Sequence, residues 1–116
     1  FVAKNIAGSN GKTNVETLKN HATYDAGEFL TNLSDKGYIK LSMVYLLNNK
    51  EVEKEFKIKD SEIRDKIFTI LRSKKYDMVR DSKGMEELRG EIKESINQTL
   101  TNGSIIDVYF TSIIVN

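Results

Sequence analysis

The sequence has no cysteine, no proline and no tryptophan, and His21 is its single histidine. Without cysteine the chain can form neither a disulfide scaffold nor a cysteine-ligated zinc site, and it offers no cysteine nucleophile. One histidine is too few for a histidine-rich metal site within one chain. We therefore expect no metal and no other cofactor.

An excess of charge of either sign is also missing. The 18 Lys and Arg residues balance 17 Asp and Glu residues, which leaves a formal net charge of +1. This balance gives no electrostatic reason to expect nucleic acid as a partner. Long apolar runs are absent too: the longest is Met43 to Leu47, whereas a membrane-spanning helix needs about 20 apolar residues. The length and the mixture of 39% apolar and 30% charged residues are typical of one globular domain.

The first residues predict a linker. Gly8-Ser9-Asn10-Gly11 interrupts any hydrophobic periodicity, and the surrounding residues are polar. We therefore divide the chain into a flexible juxtamembrane linker, residues 1–25, and a folded domain, residues 26–116. The chain begins with Phe1-Val2-Ala3 rather than with Met, which indicates a fragment whose preceding segment could be apolar.

Three strands are predicted. Phe29 to Leu33 is a short apolar segment, and Ser34 to Gly37 is typical of a hairpin turn. Tyr38 to Leu47 alternates in its first half and is apolar on both faces in its second half, which indicates cover on both sides at that end. Ser104 to Val115 is rich in β-forming residues and predicts a central strand.

Two helices are predicted between the second and third strands. The first extends from Asp60, a favourable N-cap residue, to about Ser73, and the second from about Met85 to Thr101. A short helical turn is possible in their connection, between Tyr76 and Lys83. The order β-β-α-α-β predicts an α+β domain with two helices on one face of a small sheet.

Few residues suggest chemistry, and each has a simpler interpretation. Gly11-Lys12-Thr13 resembles the end of a phosphate-binding loop, but Ile6 occupies the position where that loop needs glycine. His21 lies in the predicted linker and has no convincing nucleophile to activate. Four carboxylates of the second helix alternate with basic residues, as on a solvated helix face: Glu86, Glu87, Glu91 and Glu94. The aromatic residues on predicted strands fit a core better than a surface on which nucleic-acid bases stack: Tyr38, Tyr45, Tyr109 and Phe110.

No catalytic, cofactor-binding or metal-binding group follows from these residues. We also expect Phe110 and Ile92 to belong to one core that joins the last strand to the second helix.

Four segments resemble those of a known family in order and spacing. They are Tyr38 to Leu41 at the start of a strand, Glu62 to Ile67 in the first helix, Gly84 to Ile92 with Ile96, Asn97 and Leu100 in the second helix, and Gly103 followed by Val108 to Thr111 in the closing strand. They lie within the stretch from Phe29 to Val115, which is about three-quarters of the chain. The stretch resembles the periplasmic domain of FliL, the flagellar basal body-associated protein family.

The resemblance implies a fold similar to that of the stomatin/prohibitin (SPFH) proteins and a single-pass protein of the bacterial inner membrane with this domain in the periplasm. It implies a non-enzymatic motility component that forms a ring around or beside stator units of the MotA/MotB type and supports their recruitment, stability or activity. Other basal body components are further partners that the resemblance suggests. Arg64, Asp65, Asn97 and Phe110 are the motif residues with an expected structural or interaction role. Two roles are compatible with Arg64 and Asp65 at this point: an ion pair at the start of the helix, or local stabilisation of the helix.

Two other interpretations are compatible with the residues alone. One is a periplasmic or cytosolic adaptor of similar fold that binds a peptide or a small ligand. The other is a nucleotide-dependent enzyme that uses Gly11-Lys12-Thr13.

Overall fold

The computed structural model describes residues 22–116. They form three strands and three helices in this order: β1 (Ala22–Asn32), β2 (Tyr38–Leu47), α1 (Val52–Arg72), α2 (Tyr76–Val79), α3 (Ser82–Thr99) and β3 (Ile105–Val115). The predicted α+β class is confirmed. His21, Gly11-Lys12-Thr13 and most of the predicted linker lie outside the described residues.

The sheet is three-stranded and antiparallel, with β2 between β1 and β3. Alternate residues of β2 face the helices and are fully buried, whereas the residues between them are half-buried: the buried set is Ile39, Leu41, Met43, Tyr45 and Leu47. Side chains of a strand alternate between its two faces, so the helices cover one face of the sheet. Val44 and Leu46 on the other face are only half-buried, so no described element covers that end on both sides.

The last strand is an edge strand, and the prediction of a central strand was wrong. An apolar run usually indicates a strand that is buried on both faces. In β3, however, several apolar side chains are 37–46% exposed: Ile106, Tyr109, Ile113 and Ile114. The chain returns from the helices to the free side of β2, and sequence composition does not encode that placement.

The first strand begins at Ala22, seven residues before the predicted start. Two features hid it: most of its outward side chains are polar, and a β-bulge between Asp25 and Gly27 breaks the alternation. Tyr24 is well anchored, because its ring stacks on Phe56 at 4.8 Å between centroids. Residues 22–25, which were assigned to the linker, are therefore part of the sheet.

Helix α1 begins at Val52, eight residues before the predicted N-cap. Asp60 lies in the middle of this helix, where its carboxylate accepts a hydrogen bond of 3.1 Å from the Tyr24 hydroxyl. Its buried stripe is therefore longer than predicted and includes Val52, Phe56, Ile63, Ile67 and Leu71. A residue suited to capping can lie inside a helix when its side chain finds another partner.

Helix α3 occupies nearly the predicted range. Asp81 caps it, because its carboxylate accepts the backbone N–H of Gly84 at 2.8 Å. Leu88, Ile92 and Ile96 form its buried stripe, and they join α1 and the inner face of the sheet in one hydrophobic core. The helical turn that was possible in the connection is confirmed as α2.

The hairpin turn between β1 and β2 is also confirmed. The N–H of Leu33 donates to the carbonyl of Gly37 at 3.0 Å, and Gly37 has a φ of 76°. A side chain at this position would collide with the backbone carbonyl of Asn116. Glycine is thus required both for its backbone conformation and for space.

Candidate functional site

Arg64 connects α1 to the bulge of β1. Its guanidinium donates to the carbonyl of Ala26 at 2.7 Å and to the carbonyl of Glu28 at 3.0 Å, and it lies 4.0 Å from the centre of the Phe29 ring. A planar group with several donors can satisfy two carbonyls and stack on an aromatic ring at the same time. Arg64 therefore stabilises the irregular part of the first strand.

Asp65 does not form the ion pair considered for it. It lies in the middle of α1 rather than at its start, its side chain is exposed, and no ion pair found among residues 22–116 involves it or Arg64. Successive helical residues point about 100° apart, so neighbours in sequence rarely meet. Arg64 faces the sheet and Asp65 faces outward.

Asn97 connects α3 to the start of β3. Its side-chain oxygen accepts the backbone N–H of Ile105 at 2.7 Å, and its amide nitrogen donates to the carbonyl of Ile105 at 3.2 Å. An amide side chain offers a donor and an acceptor side by side, as a neighbouring strand does. Asn97 therefore hydrogen-bonds this part of the sheet edge as a neighbouring strand would.

Phe110 lies at the border of the core. Its ring is half-buried against the core cluster that contains Ile92, as expected, but it is not enclosed. The guanidinium of Arg89 lies 4.6 Å from the ring centre and also donates to the carbonyl of Val108. The ring therefore helps to position Arg89 between α3 and β3.

Glu55 is a buried anchor that the sequence did not reveal. Its carboxylate is 4% exposed, accepts hydrogen bonds from Thr101 N–H, Thr101 Oγ1 and Asn102 N–H at 2.7–2.9 Å, and pairs with Lys59 at 2.8 Å. Burial raises the pKa of Glu55, but the hydrogen bonds from Lys59, Asn102 and Thr101 outweigh it and hold the pKa at about 2. The only sequence signal is a Glu four residues before a Lys, which is common on exposed helix faces.

Tyr45 carries a buried hydroxyl that has no hydrogen-bond partner among the described residues. Its ring stacks with that of Phe56 at 5.3 Å, and Phe56 stacks in turn on Tyr24. Burial raises the pKa of Tyr45 above its usual value, and that of Tyr24 is raised by burial and by the carboxylate of Asp60. Both rings therefore serve as neutral, structural parts of the core.

An open depression of about 570 Å³ lies at the hairpin end of the sheet. It is lined by Leu30, Thr31, Asn32, Tyr38, Lys40 and Arg72. These side chains include two cations but no carboxylate and no histidine. The carboxylates of α3 lie elsewhere, and Glu86 and Glu91 form surface ion pairs with Arg89 and Lys74.

Across residues 22–116 no three His, Cys, Asp or Glu side chains are grouped so that they could hold a metal ion. The helices of the same region include none with the length and apolar character needed to cross a membrane.

Three of the four motif residues, Arg64, Asn97 and Phe110, lie between a helix and the sheet. The fourth, Asp65, has a side chain that faces outward.

The folded residues match a known protein family. Residues 23–115 match the family described as flagellar basal body-associated protein FliL, a range that nearly coincides with the folded residues. The chain is 33% identical over 90 residues to the flagellar protein FliL of Aquifex aeolicus, covering 75% of this chain and 56% of that protein. It is 28% identical over 91 residues to the flagellar protein FliL of Bacillus subtilis, covering 78% and 65%.

The chain thus spans less than two-thirds of the length of either relative. The family match, by contrast, extends from the second residue of β1 to the last residue of β3. Since the match covers well over half of the chain and includes every strand and helix described above, the protein belongs to the FliL family of flagellar basal body-associated proteins.

Proposed function

We propose that the protein is a non-enzymatic component of the bacterial flagellar motor that assembles around or beside the stator units. In this role it supports the recruitment, stability or activity of stators of the MotA/MotB type during motility and chemotaxis. The observation that carries the proposal is the family match over residues 23–115, which includes all but the first and the last of the described residues.

The proposed location is the periplasm, with an anchor in the inner membrane. A membrane helix that precedes this chain would supply the anchor, and the residues before β1 would be the linker between anchor and domain. The folded unit would then start at Ala22 rather than at residue 26, because residues 22–25 pair with β2.

The proposed assembly is a ring built from SPFH-like domains. A closed ring requires a head-to-tail contact in which two different surfaces of each subunit meet. Arg64 and Asn97 already use their donors within the domain, so they serve the fold. Asp65 is exposed on α1, which makes its face of that helix the better candidate for contact with a neighbour or a stator.

A structural role also fits the chemistry of the described residues. The one buried carboxylate, Glu55, accepts hydrogen bonds from Thr101 and Asn102 and pairs with Lys59. It therefore connects α1 to the loop that precedes β3. The family is likewise one of structural flagellar proteins.

The experiment uses the full-length protein in motile cells. Because the described chain has no cysteine, a single Asp65→Cys substitution gives one reactive position on α1. We expect it to cross-link either to a second copy or to a stator subunit, and we expect the matched exposed variant on α3, Glu87→Cys, to cross-link much less. Loss of the gene should reduce spreading in viscous medium. Unchanged motility, together with localisation that does not depend on stators, would rule out the proposal.

A further inference from the structure

The free edge of β3 can be traced from its hydrogen bonds. Tyr38 and Asn116 exchange two backbone hydrogen bonds, of 2.8 and 3.0 Å. In an antiparallel ladder, hydrogen-bonded pairs alternate with pairs whose backbone groups point away from each other. Val115, opposite Ile39, and Ile113, opposite Leu41, belong to the second kind. Their N–H and carbonyl groups therefore face outward from the sheet.

The first half of this edge is closed by side chains. Asn97 binds both the N–H and the carbonyl of Ile105. The Asp107 carboxylate accepts the N–H of Val108 at 2.8 Å, and Arg89 donates to the carbonyl of the same residue. Four backbone groups that could bind another strand are thus occupied.

The bulged middle of the opposite edge is closed in a similar way. On β1, Arg64 binds the carbonyls of Ala26 and Glu28, and the Asp25 carboxylate accepts the N–H of Gly27 at 2.9 Å. The bulge at the same position distorts the strand further. Bulges and charged side chains are common means of preventing an edge strand from pairing with another chain.

The second half of the β3 edge lacks these protections. Within residues 22–116, no side chain or loop hydrogen-bonds the outward backbone groups of Ile113 and Val115. Tyr109, Ile113 and Ile114 are 42–46% exposed, and no side chain from Val108 to Asn116 is charged. An uncharged edge rich in β-forming residues is a template for strand addition. We call residues 109–115 the open half-edge.

We infer that the last part of the open half-edge, with residues 112–116, pairs with the same segment of a second copy of this chain, antiparallel and about a two-fold axis. The absence of charge favours this occupant, because self-pairing then brings no like charges together. The pairing is centred on Ile114. Ile113 of each copy then lies opposite Val115 of the other copy, and in each copy the outward N–H and carbonyl groups of both residues form hydrogen bonds. Asp107 falls outside the paired segment.

The alternative between copies, β3 against the middle of β1, is disfavoured because Arg64 already occupies the carbonyls of Ala26 and Glu28. The inferred contact is small, so we expect weak association, with a dissociation constant of roughly 0.1–1 mM. A two-fold contact joins two subunits and does not close a ring. The inference therefore stands independently of the proposed motor function.

Ile113→Pro tests the contact directly. It removes an outward N–H, and because Ile113 forms a non-hydrogen-bonded pair with Leu41, no bond within the sheet is lost. Ile113→Lys is the second variant, in case the proline impairs folding. Ile58→Lys is the matched control, since Ile58 is 83% exposed on α1 and far from β3 in the chain.

The measurements are sedimentation equilibrium and amide hydrogen exchange of the 116-residue chain at about 10 µM and about 1 mM, a span that brackets the expected affinity. We expect monomers at the lower concentration and a large dimer fraction at the higher one, with the Ile113 and Val115 amides protected only at the higher. The two Ile113 variants should weaken dimerisation at least about tenfold, and Ile58→Lys should not change it.

Several results would overturn the inference. These are a monomer at 1 mM, a dimer that the Ile113 variants leave intact, and assemblies larger than a dimer that use the same amides. The inference would also fail if these amides are protected at both concentrations and lose that protection when residues 1–21 are removed. The edge would then be covered from within the chain.

Discussion

Replacement of Glu55 by glutamine should strongly destabilise the domain. Glutamine keeps the shape of the side chain but replaces one carboxylate oxygen by a donor. Three donated hydrogen bonds and the Lys59 ammonium converge on this carboxylate, which is 4% exposed. The glutamine NH₂ group would face one of these donors and could not accept its hydrogen bond. The substitution would also remove the negative charge that faces Lys59.

The expected loss follows from those contacts. Hydrogen bonds to a charged group contribute about 1.5–3 kcal/mol, and a buried donor left without an acceptor costs about 1–3 kcal/mol. We therefore expect Glu55→Gln to lower the free energy of unfolding by about 2–4 kcal/mol, as several of these contacts weaken together. For a domain of this size that corresponds to a fall in melting temperature of at least about 8 °C.

The effect should also depend on pH. The pKa of Glu55 is lowered in the folded state to about 2, so the folded protein binds the proton more weakly than the unfolded chain does. The stabilisation is then present above the unfolded pKa of about 4.3 and is lost as the pH falls toward 2. The difference between the wild type and Glu55→Gln should therefore shrink steadily below pH 4.5.

Urea unfolding at several pH values between 3 and 7 is the assay. The control is Glu53→Gln, because Glu53 lies two residues away on α1 and forms only an exposed pair with Lys57 at 3.9 Å. We expect this control to change stability by less than about 0.5 kcal/mol. A Glu55→Gln effect as small as that of the control, or one that stays constant down to pH 3, would refute the reasoning.

Three further substitutions test other contacts of the fold by equilibrium unfolding. Arg64→Lys keeps the charge but cannot bridge the carbonyls of Ala26 and Glu28 as a planar fork does, so we expect a loss of about 1–2 kcal/mol; an unchanged midpoint would contradict the bulge contact. Asn97→Asp keeps the acceptor for the Ile105 N–H but removes the donor to its carbonyl, and should cost about 1–3 kcal/mol at pH 7; an unchanged free energy of unfolding would argue against the role of Asn97. Tyr45→Phe removes a buried hydroxyl without a described partner and should leave stability unchanged or raise it by up to about 1 kcal/mol; a clear loss would mean that the hydroxyl has a partner.

The local patterns of the sequence were sufficient for several elements. β2 alternates in sequence and alternates in burial, because successive side chains of a strand point to opposite faces. The stripe of Leu88, Ile92 and Ile96 identified α3 for a similar reason, since residues four apart lie on one face of a helix. Gly37 was predicted in a turn, and its positive φ agrees with that assignment.

The starts of β1 and α1 were predicted too late, since both depend on contacts distant in sequence. Tyr24 and Phe56 are 32 positions apart, and their stacking accompanies the early start of both elements. Asp60 was a reasonable cap by residue type, but its carboxylate accepts a hydrogen bond from Tyr24 instead. Local propensity cannot include such partners, so it favoured the nearest conventional boundary.

The family motif residues show the same division. The sequence by itself determined the α+β class, the β2 and α3 patterns and the motif that identifies the family, because these depend on residues that are close along the chain. Only the tertiary structure decided that Arg64 serves the β1 bulge and Asp65 the surface, that Glu55 is buried among donors, and that β3 lies at an edge with half of it open. Each of these depends on which distant backbone groups come within hydrogen-bonding distance, and the packing of the helices on the sheet determines that.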